Sequence, residues 1–398
     1  MKRFNTTGIC IPNKHYMVDI SDRVAQIKVM VEEGDYFCIN RGRQYGKTTT
    51  LAALRRALAS EYTVANLDFQ ALSHADFQTE GTFASAFARE LLVRHSYGSL
   101  DLPNDTIASL ESLAAMPAIE LKLATLFSAL ALWNSRSDKP VVLIIDEADN
   151  ATNNQVFLDF LAQLRLQYLT HEDNPGAPAF QSVILASVTD IKHLKTRIRQ
   201  EDQHKVNSPW NIAADFDVNM SFSHKDVAGM LADYEAEHST GMDVDAVAQE
   251  VVDWTGGYPF LVSRLCQLID KHGFAWNRSG VDEAVKALLA ERNTLFESLM
   301  GKLETFPELR SMLYGILMEG RRLPYSADNE QIGQLEMYGF VRRSADNSVV
   351  LFNRIFETRL YDLFILDEKL SGNEVYERGD LGRSRVTVGD KLLWEEVV

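Results

Sequence analysis

Cysteine is scarce in this chain of 398 residues: Cys10, Cys38 and Cys266 stand far apart, odd in number and without metal-like pairing. That argues against a disulfide framework or a cysteine-based zinc site and fits a reducing compartment. No apolar run approaches the roughly 20 residues that a bilayer-spanning helix needs. The stretch Met1-Lys2-Arg3-Phe4-Asn5-Thr6 lacks the apolar core of a secretion signal, so a cytoplasmic location without membrane attachment is expected. Internal repeats and low-complexity tracts are missing as well. Positive charge is in deficit, with 40 Lys and Arg against 56 Asp and Glu and a formal net charge of −16. Such a balance disfavours broad attachment to nucleic acid or to an anionic membrane, while leaving room for a local basic patch. What remains is 46% hydrophobic, 24% charged and 10% aromatic, an ordinary globular composition long enough for two or three domains.

Against that plain background one stretch stands out: Ile39-Asn40-Arg41-Gly42-Arg43-Gln44-Tyr45-Gly46-Lys47-Thr48-Thr49. The apolar run Tyr36-Phe37-Cys38-Ile39-Asn40 before it reads as a strand. Gly46-Lys47-Thr48 opens a helix with Leu51, Leu54 and Leu58 on one face. At a strand-to-helix junction the unpaired N–H groups and the positive end of the helix dipole converge, which suits a phosphate. Residues Gly42, Arg43, Gln44, Tyr45, Gly46, Lys47, Thr48 and Thr49 are therefore expected to cradle a nucleotide. Lys47 would reach the β- and γ-phosphates, and the Thr48 hydroxyl would ligate Mg²⁺. The usual pattern, G-x-x-x-x-G-K-[ST], has glycine where this chain has Arg41; Gly42 comes one place late and can supply the permissive backbone. A chance Gly-Lys-Thr in a surface turn is the competing account.

A second motif weighs against that alternative. Val141-Val142-Leu143-Ile144-Ile145-Asp146-Glu147 reads as a strand buried on both faces and ending in two carboxylates. At the C-terminal end of a central parallel strand, Asp146 can hold Mg²⁺ through its water shell and Glu147 can polarise an attacking water. An ordinary strand end with solvated acids would look the same in isolation.

The rest of the chain divides by pattern. Residues 1–35 lead towards the pocket, with a loop over 11–19 and a helix at about 21–33. Tyr16 and His15 are candidates for the adenine pocket, and packing explains them equally well. From 36 to 218 strand and helix alternate, which implies a parallel sheet with crossovers. Helices are expected near 81–97 and 106–134, and a buried strand, Ser182-Val183-Ile184-Leu185-Ala186-Ser187, follows. Ser187 would end level with Lys47 and Asp146, where it could sense a γ-phosphate. Arg197 and Arg199 are candidate arginine fingers or a solvated helix face. Residues 219–298 read as all helix, starting at a Ser223 cap and punctuated by Gly256-Gly257-Tyr258-Pro259. Residues 299–366 read as helices followed by a hairpin, the order of a winged helix, and 367–398 as a polar tail.

Phosphate loop, Asp-Glu strand, serine-ended strand, Gly-Tyr-Pro element and winged helix, taken in this order, resemble the AAA-like P-loop ATPases of bacteria and archaea close to the STAND signalling class. They are more distantly similar to origin-recognition and helicase-loading initiators. The resemblance covers about residues 10–365. It implies an α/β fold with a parallel-sheet P-loop NTPase core, a helical lid and a C-terminal winged-helix domain. It further implies ATP and Mg²⁺ as ligands, ATP hydrolysis to ADP with Lys47 and Glu147 as catalytic residues, Thr48 and Asp146 at the metal, and Pro259 packed in the lid near the adenine; Ser187 joins the catalytic candidates from its place at the strand end. A nucleotide-driven switch serving a protein partner, with a possible nucleotide-dependent oligomer, is the preferred role. A nucleic-acid initiator and an ATP-holding scaffold are the alternatives. The candidate recognition helix carries Asp328, Glu330 and Glu336 but no Lys or Arg, the wrong sign for a phosphate-lined groove. Asp146-Glu147-Ala148-Asp149 also spells the tetrapeptide of RNA helicases, but no second motor domain accompanies it.

Overall fold

The computed structural model describes residues 2–189, 191, 208–370, 387–388 and 391–392. Two short strands, β1 (Arg3–Phe4) and β2 (His15–Tyr16), pair in parallel, the second inside the stretch 11–19 read as a loop. Helix α1 (Ser21–Glu32) then leads to β3 (Tyr36–Asn40), the phosphate-loop strand, and to α2 (Lys47–Leu58). Strand β4 (Thr63–Asp68) is followed by three helices, α3 (Glu80–Ser96), α4 (Asn104–Ala115) and α5 (Leu123–Arg136). Only two helices were expected in this span. Pro117 lacks the N–H that a continuous helix needs, and the chain breaks there. Strand β5 (Val141–Asp146), helix α6 (Gln155–Asp173) and strand β6 (Ser182–Ser187) complete the core.

The sheet order is β3-β6-β5-β4, all parallel. A bridge between Phe37 and Ala214 adds a fifth position beyond β3. Strand β6 therefore lies between the phosphate-loop strand and the acid-bearing strand, so Asp146 sits one strand further from the loop than direct adjacency would place it. Side chains alternate across the sheet. Phe37, Ile39, Val142, Ile144 and Ile184 pack with α1 and α2, whereas Tyr36, Leu143, Ile145, Val183 and Leu185 pack with α3, α5 and α6. Burial on both faces explains the unbroken apolar runs of β5 and β6.

Beyond the sheet come α7 (His224–His238), α8 (Val244–Thr255), α9 (Pro259–His272) and α10 (Arg278–Ala290). The Ser223 hydroxyl accepts the Asp226 N–H at 3.2 Å, and the Asp226 carboxylate accepts the Ser223 N–H at 2.8 Å, a reciprocal cap that the sequence announced. Gly257 has φ +73°, and a Cβ there would lie 2.1 Å from the Phe222 carbonyl oxygen, so no other residue fits this turn. Helices α11 (Thr294–Thr305), α12 (Pro307–Leu317) and α13 (Glu330–Tyr338) precede an antiparallel hairpin of β7 (Val341–Arg343) and β8 (Val349–Leu351). A further helix, α14 (Arg354–Leu370), was not anticipated; it buries Ile355, Phe356, Leu360 and Phe364 against α8, α12 and β8. Among the described residues no helix is long and apolar enough to cross a membrane. Arg197 and Arg199 lie outside the described residues.

Candidate functional site

The loop between β3 and α2 turns on residues with left-handed backbone. Gly46 has φ +80° and Gln44 φ +56°, which turn successive backbone groups towards the helix start. The Arg41 puzzle resolves in its side chain. The guanidinium leaves the loop sideways, lies 5.3 Å over the Phe216 ring and donates to the carbonyls of Phe216 (3.3 Å) and Val218 (3.2 Å). Glycine one place later suits the tight space behind Gly42. A Cβ there would stand 3.2 Å from the Tyr338 carbonyl oxygen and 3.3 Å from the Tyr258 hydroxyl. The Tyr258 hydroxyl donates to the Arg43 carbonyl, while its fully buried ring meets Tyr45 edge-on at 4.6 Å. The Gln44 amide donates to the Thr294 hydroxyl at 3.0 Å. The loop is thus held by the start of α9 and by the C-terminal helices together.

The Lys47 ammonium donates to the Arg41 and Gly42 carbonyls at 2.8 and 3.1 Å. Burial lowers its pKa below the ordinary lysine value, and the nearby carboxylates of Asp149, Glu147 and Asp146 oppose that shift. Asp146 is itself buried; its carboxylate accepts the Glu147 N–H at 3.0 Å, and the Thr48 hydroxyl is near enough to act on it as a second donor. Burial raises the Asp146 pKa, and these two donors counter the rise. Thr48 at the start of α2 and Asp146 at the end of β5 bring two hard oxygens near one another, a donor set that fits a magnesium ion. Glu147 adopts φ +53°, an uncommon conformation for a non-glycine residue, and burial lifts its pKa while Lys47 counters it.

One residue that sequence reasoning passed over fixes this turn. The Asp149 carboxylate accepts the Val188 and Thr189 N–H groups at 2.5 and 2.7 Å, tying the acid turn to the end of β6. The Ser187 hydroxyl donates to the Thr189 carbonyl and does not line the cavity; Val188 does.

A cavity of 460 Å³ opens above the loop. Arg43, Gln44, Tyr45, Gly46, Lys47, Thr48, Thr49 and Glu147 form one end, and Pro259, Phe260 and Ser263 of α9 face them. The other end is built by the N-terminal segment, from Asn5 to Gly8 and at Cys10, Tyr16, Met17 and Val18, with Met230 of α7. Thr49 joins the two ends, since its hydroxyl accepts the Cys10 N–H at 3.2 Å. Of the N-terminal residues only Tyr16 was singled out in advance. Asn5 to Gly8 carry no periodic signal, and their role appears only when β1 pairs with β2. Tyr16 lines the cavity, but its hydroxyl donates to the Glu237 carboxylate at 2.7 Å. His15 is absent from the lining; its ring nitrogen accepts the Ile11 N–H at 2.9 Å.

A family model described as an AAA-like domain matches residues 13–364. The chain belongs to that family. Among solved structures the AAA-like chain is similar to the Walker-type ATPase PABY2304 of Pyrococcus abyssi, at 13% identity and TM-score 0.60, covering 90% of this chain and 99% of that one. It also aligns with the RuvB Holliday junction branch migration motor of Thermotoga maritima, at 13% identity and TM-score 0.39, over 84% and 92% of the two chains. The ORC2 protein of Aeropyrum pernix aligns at 12% identity and TM-score 0.42, over 91% and 98%. No curated protein matches the sequence. The first of these likenesses supports the parallel-sheet P-loop ATPase fold of the AAA-like chain.

The AAA-like site brings together Lys47, Thr48, Thr49, Glu147, Tyr16 and Pro259 around one cavity, with Asp146 directly behind Thr48. Gly42 and Ser187 stand outside the lining and act on the loops that form it.

Proposed function

We propose that this AAA-like protein binds ATP with magnesium at the phosphate loop, hydrolyses it slowly to ADP and phosphate, and uses the nucleotide state as a switch. The observation that carries this reading is the convergence of Lys47, Thr48 and Glu147 on one cavity, with the Asp146 carboxylate near the Thr48 hydroxyl. The loop N–H groups and Lys47 would grip the phosphates, which requires Lys47 to exchange its own loop carbonyls for phosphate oxygens. Thr48 and Asp146 would hold magnesium, which would supply neutralising positive charge to the phosphates. Glu147, which lines the cavity, would accept the proton of the attacking water.

The switch reading rests on what touches the loop from outside. Tyr258 and Pro259 belong to a proposed lid over 219–298, and Thr294 stands at its end. Tyr338 belongs to a proposed winged-helix unit over 299–366. A nucleotide that reshapes the loop would act on both, provided it binds the two arrangements with different affinity. The output is proposed to be a protein partner in the cytoplasm, since α13 carries Glu330 and Glu336 and no basic residue. Two variants test the site. Lys47→Ala should abolish ATP binding by calorimetry, whereas Glu147→Gln should bind ATP and hardly hydrolyse it. Equal phosphate release by wild type and Glu147→Gln would remove Glu147 as the base.

A further inference from the structure

Hydrolysis of a triphosphate asks for a cation at the γ-phosphate beyond the loop lysine, and the cavity offers few. Among the described residues three cationic side chains line it: Arg23, Arg43 and Lys47. Arg23 is committed elsewhere, donating to the Asn219 and Ser221 carbonyls at 3.1 and 3.4 Å and lying 5.6 Å over the Phe222 ring. Lys47 is the loop lysine itself. The face of α9 turned to the cavity contributes Pro259, Phe260 and Ser263, none of them charged. Arg43 is different. Its guanidinium makes no hydrogen bond or ion pair with any described residue, the residue is exposed, and its charge acts on both Lys47 and Glu147. Its backbone is anything but free, because the buried Tyr258 hydroxyl holds the Arg43 carbonyl and Gly42 beside it is packed against Tyr338.

We infer that Arg43 is an arginine supplied in cis from within the phosphate loop, a catalytic residue that meets the charge building on the γ-phosphate during hydrolysis. The inference rests on the proposed ATP site. In the step it serves, the water oxygen bonds to the γ-phosphorus while the bond from that phosphorus to the β–γ bridging oxygen breaks. The water proton passes to Glu147, and ADP leaves with the bond's electron pair. A planar guanidinium can pair with two γ-oxygens at once, which spreads the cost of ordering the side chain over two hydrogen bonds. One chain would then contain the whole charge-stabilising set, and chemistry would need no arginine from a neighbour.

The test uses the full chain and two readouts. In steady-state phosphate release, Arg43→Ala should lower kcat by on the order of 10²- to 10³-fold, with Arg43→Lys partly restoring it. In calorimetry with magnesium, Arg43→Ala should bind ADP within about threefold of wild type, yet lose on the order of 10²-fold or more for ADP with aluminium fluoride, which mimics the transferring phosphoryl group. Wild-type turnover per chain should stay constant over a hundredfold dilution. Turnover by Arg43→Ala within threefold of wild type, equal losses for ADP and its aluminium fluoride complex, or a rate per chain that falls on dilution would each overturn the assignment. Wild type that binds no magnesium nucleotide would instead sink the underlying site and this inference with it, a different result from the other three.

Discussion

Replacing Tyr258 by phenylalanine removes one oxygen and leaves the ring where it is. The ring's contacts with Tyr45 at 4.6 Å, Phe356 at 5.4 Å and Phe352 at 5.9 Å persist, so packing is held constant. What disappears is the only side-chain hydroxyl on the Arg43 carbonyl among the described residues. An acceptor left without a partner at this part-buried place costs up to about 1–3 kcal/mol. The phosphate loop should relax in the nucleotide-free variant and must be re-formed on binding, so the same energy appears as lost affinity. At about 1.4 kcal/mol per factor of ten, that is roughly five- to 150-fold. ADP and ATP should suffer alike, because the carbonyl is part of the loop's frame and not of the γ-phosphate contact. Titration calorimetry on wild type and Tyr258→Phe measures it, with Tyr258→Leu as the variant that also loses the ring. Affinity for both nucleotides within twofold of wild type, at an unchanged melting temperature, would show that Tyr258 does not brace the loop.

Three further outcomes follow from the same geometry. Gly257→Ala should destabilise the protein by more than about 2 kcal/mol, since the left-handed backbone costs about 1–2 kcal/mol and the Phe222 carbonyl must also move, whereas Gly229→Ala, in open space on α7, should stabilise by about 0.5–1 kcal/mol; thermal melts of both variants check the contrast. Asp149→Asn keeps one acceptor for the two N–H groups of Val188 and Thr189, so phosphate release should fall about tenfold while ADP affinity stays within about threefold of wild type. Burial raises the pKa values of both Asp146 and Glu147 above 3.8 and 4.5, so the folded nucleotide-free protein holds their protons more tightly than the unfolded chain. Their contribution to stability is complete below the ordinary values and lost as pH rises through the raised ones, and denaturation midpoints across this range should slope less in Asp146→Asn/Glu147→Gln than in wild type.

Local physics carried much of this architecture into the sequence. The runs before Gly46 and Asp146 announced strands because burial on both faces demands unbroken apolar residues. Ser223 and Asp226 announced a helix start because the cap is made by side chains three residues apart. The places of Lys47, Thr48, Asp146 and Glu147 were legible because each begins, ends or directly follows its element. What stayed hidden depends on contacts across long separations. Tyr258 reaches Arg43, and Asp149 reaches Val188, over stretches that no window of sequence spans. The break at Pro117 was there to be read and was missed because the apolar periodicity continues on either side of it. Helix α14 was hidden for a related reason: its buried stripe of Ile355, Leu360 and Phe364 is diluted by charged residues that face outward.

The sideways exit of Arg41 has a practical corollary for recognising such chains. A motif search that insists on glycine at that place would discard this loop as degenerate. A rule framed as free volume would keep it, asking only that the first side chain have an aromatic shelf to rest on and that the tight contact be one step along. Loops of this kind are then better sought by pairing an arginine-glycine step with a distant phenylalanine and a Gly-Tyr-Pro turn than by spelling alone.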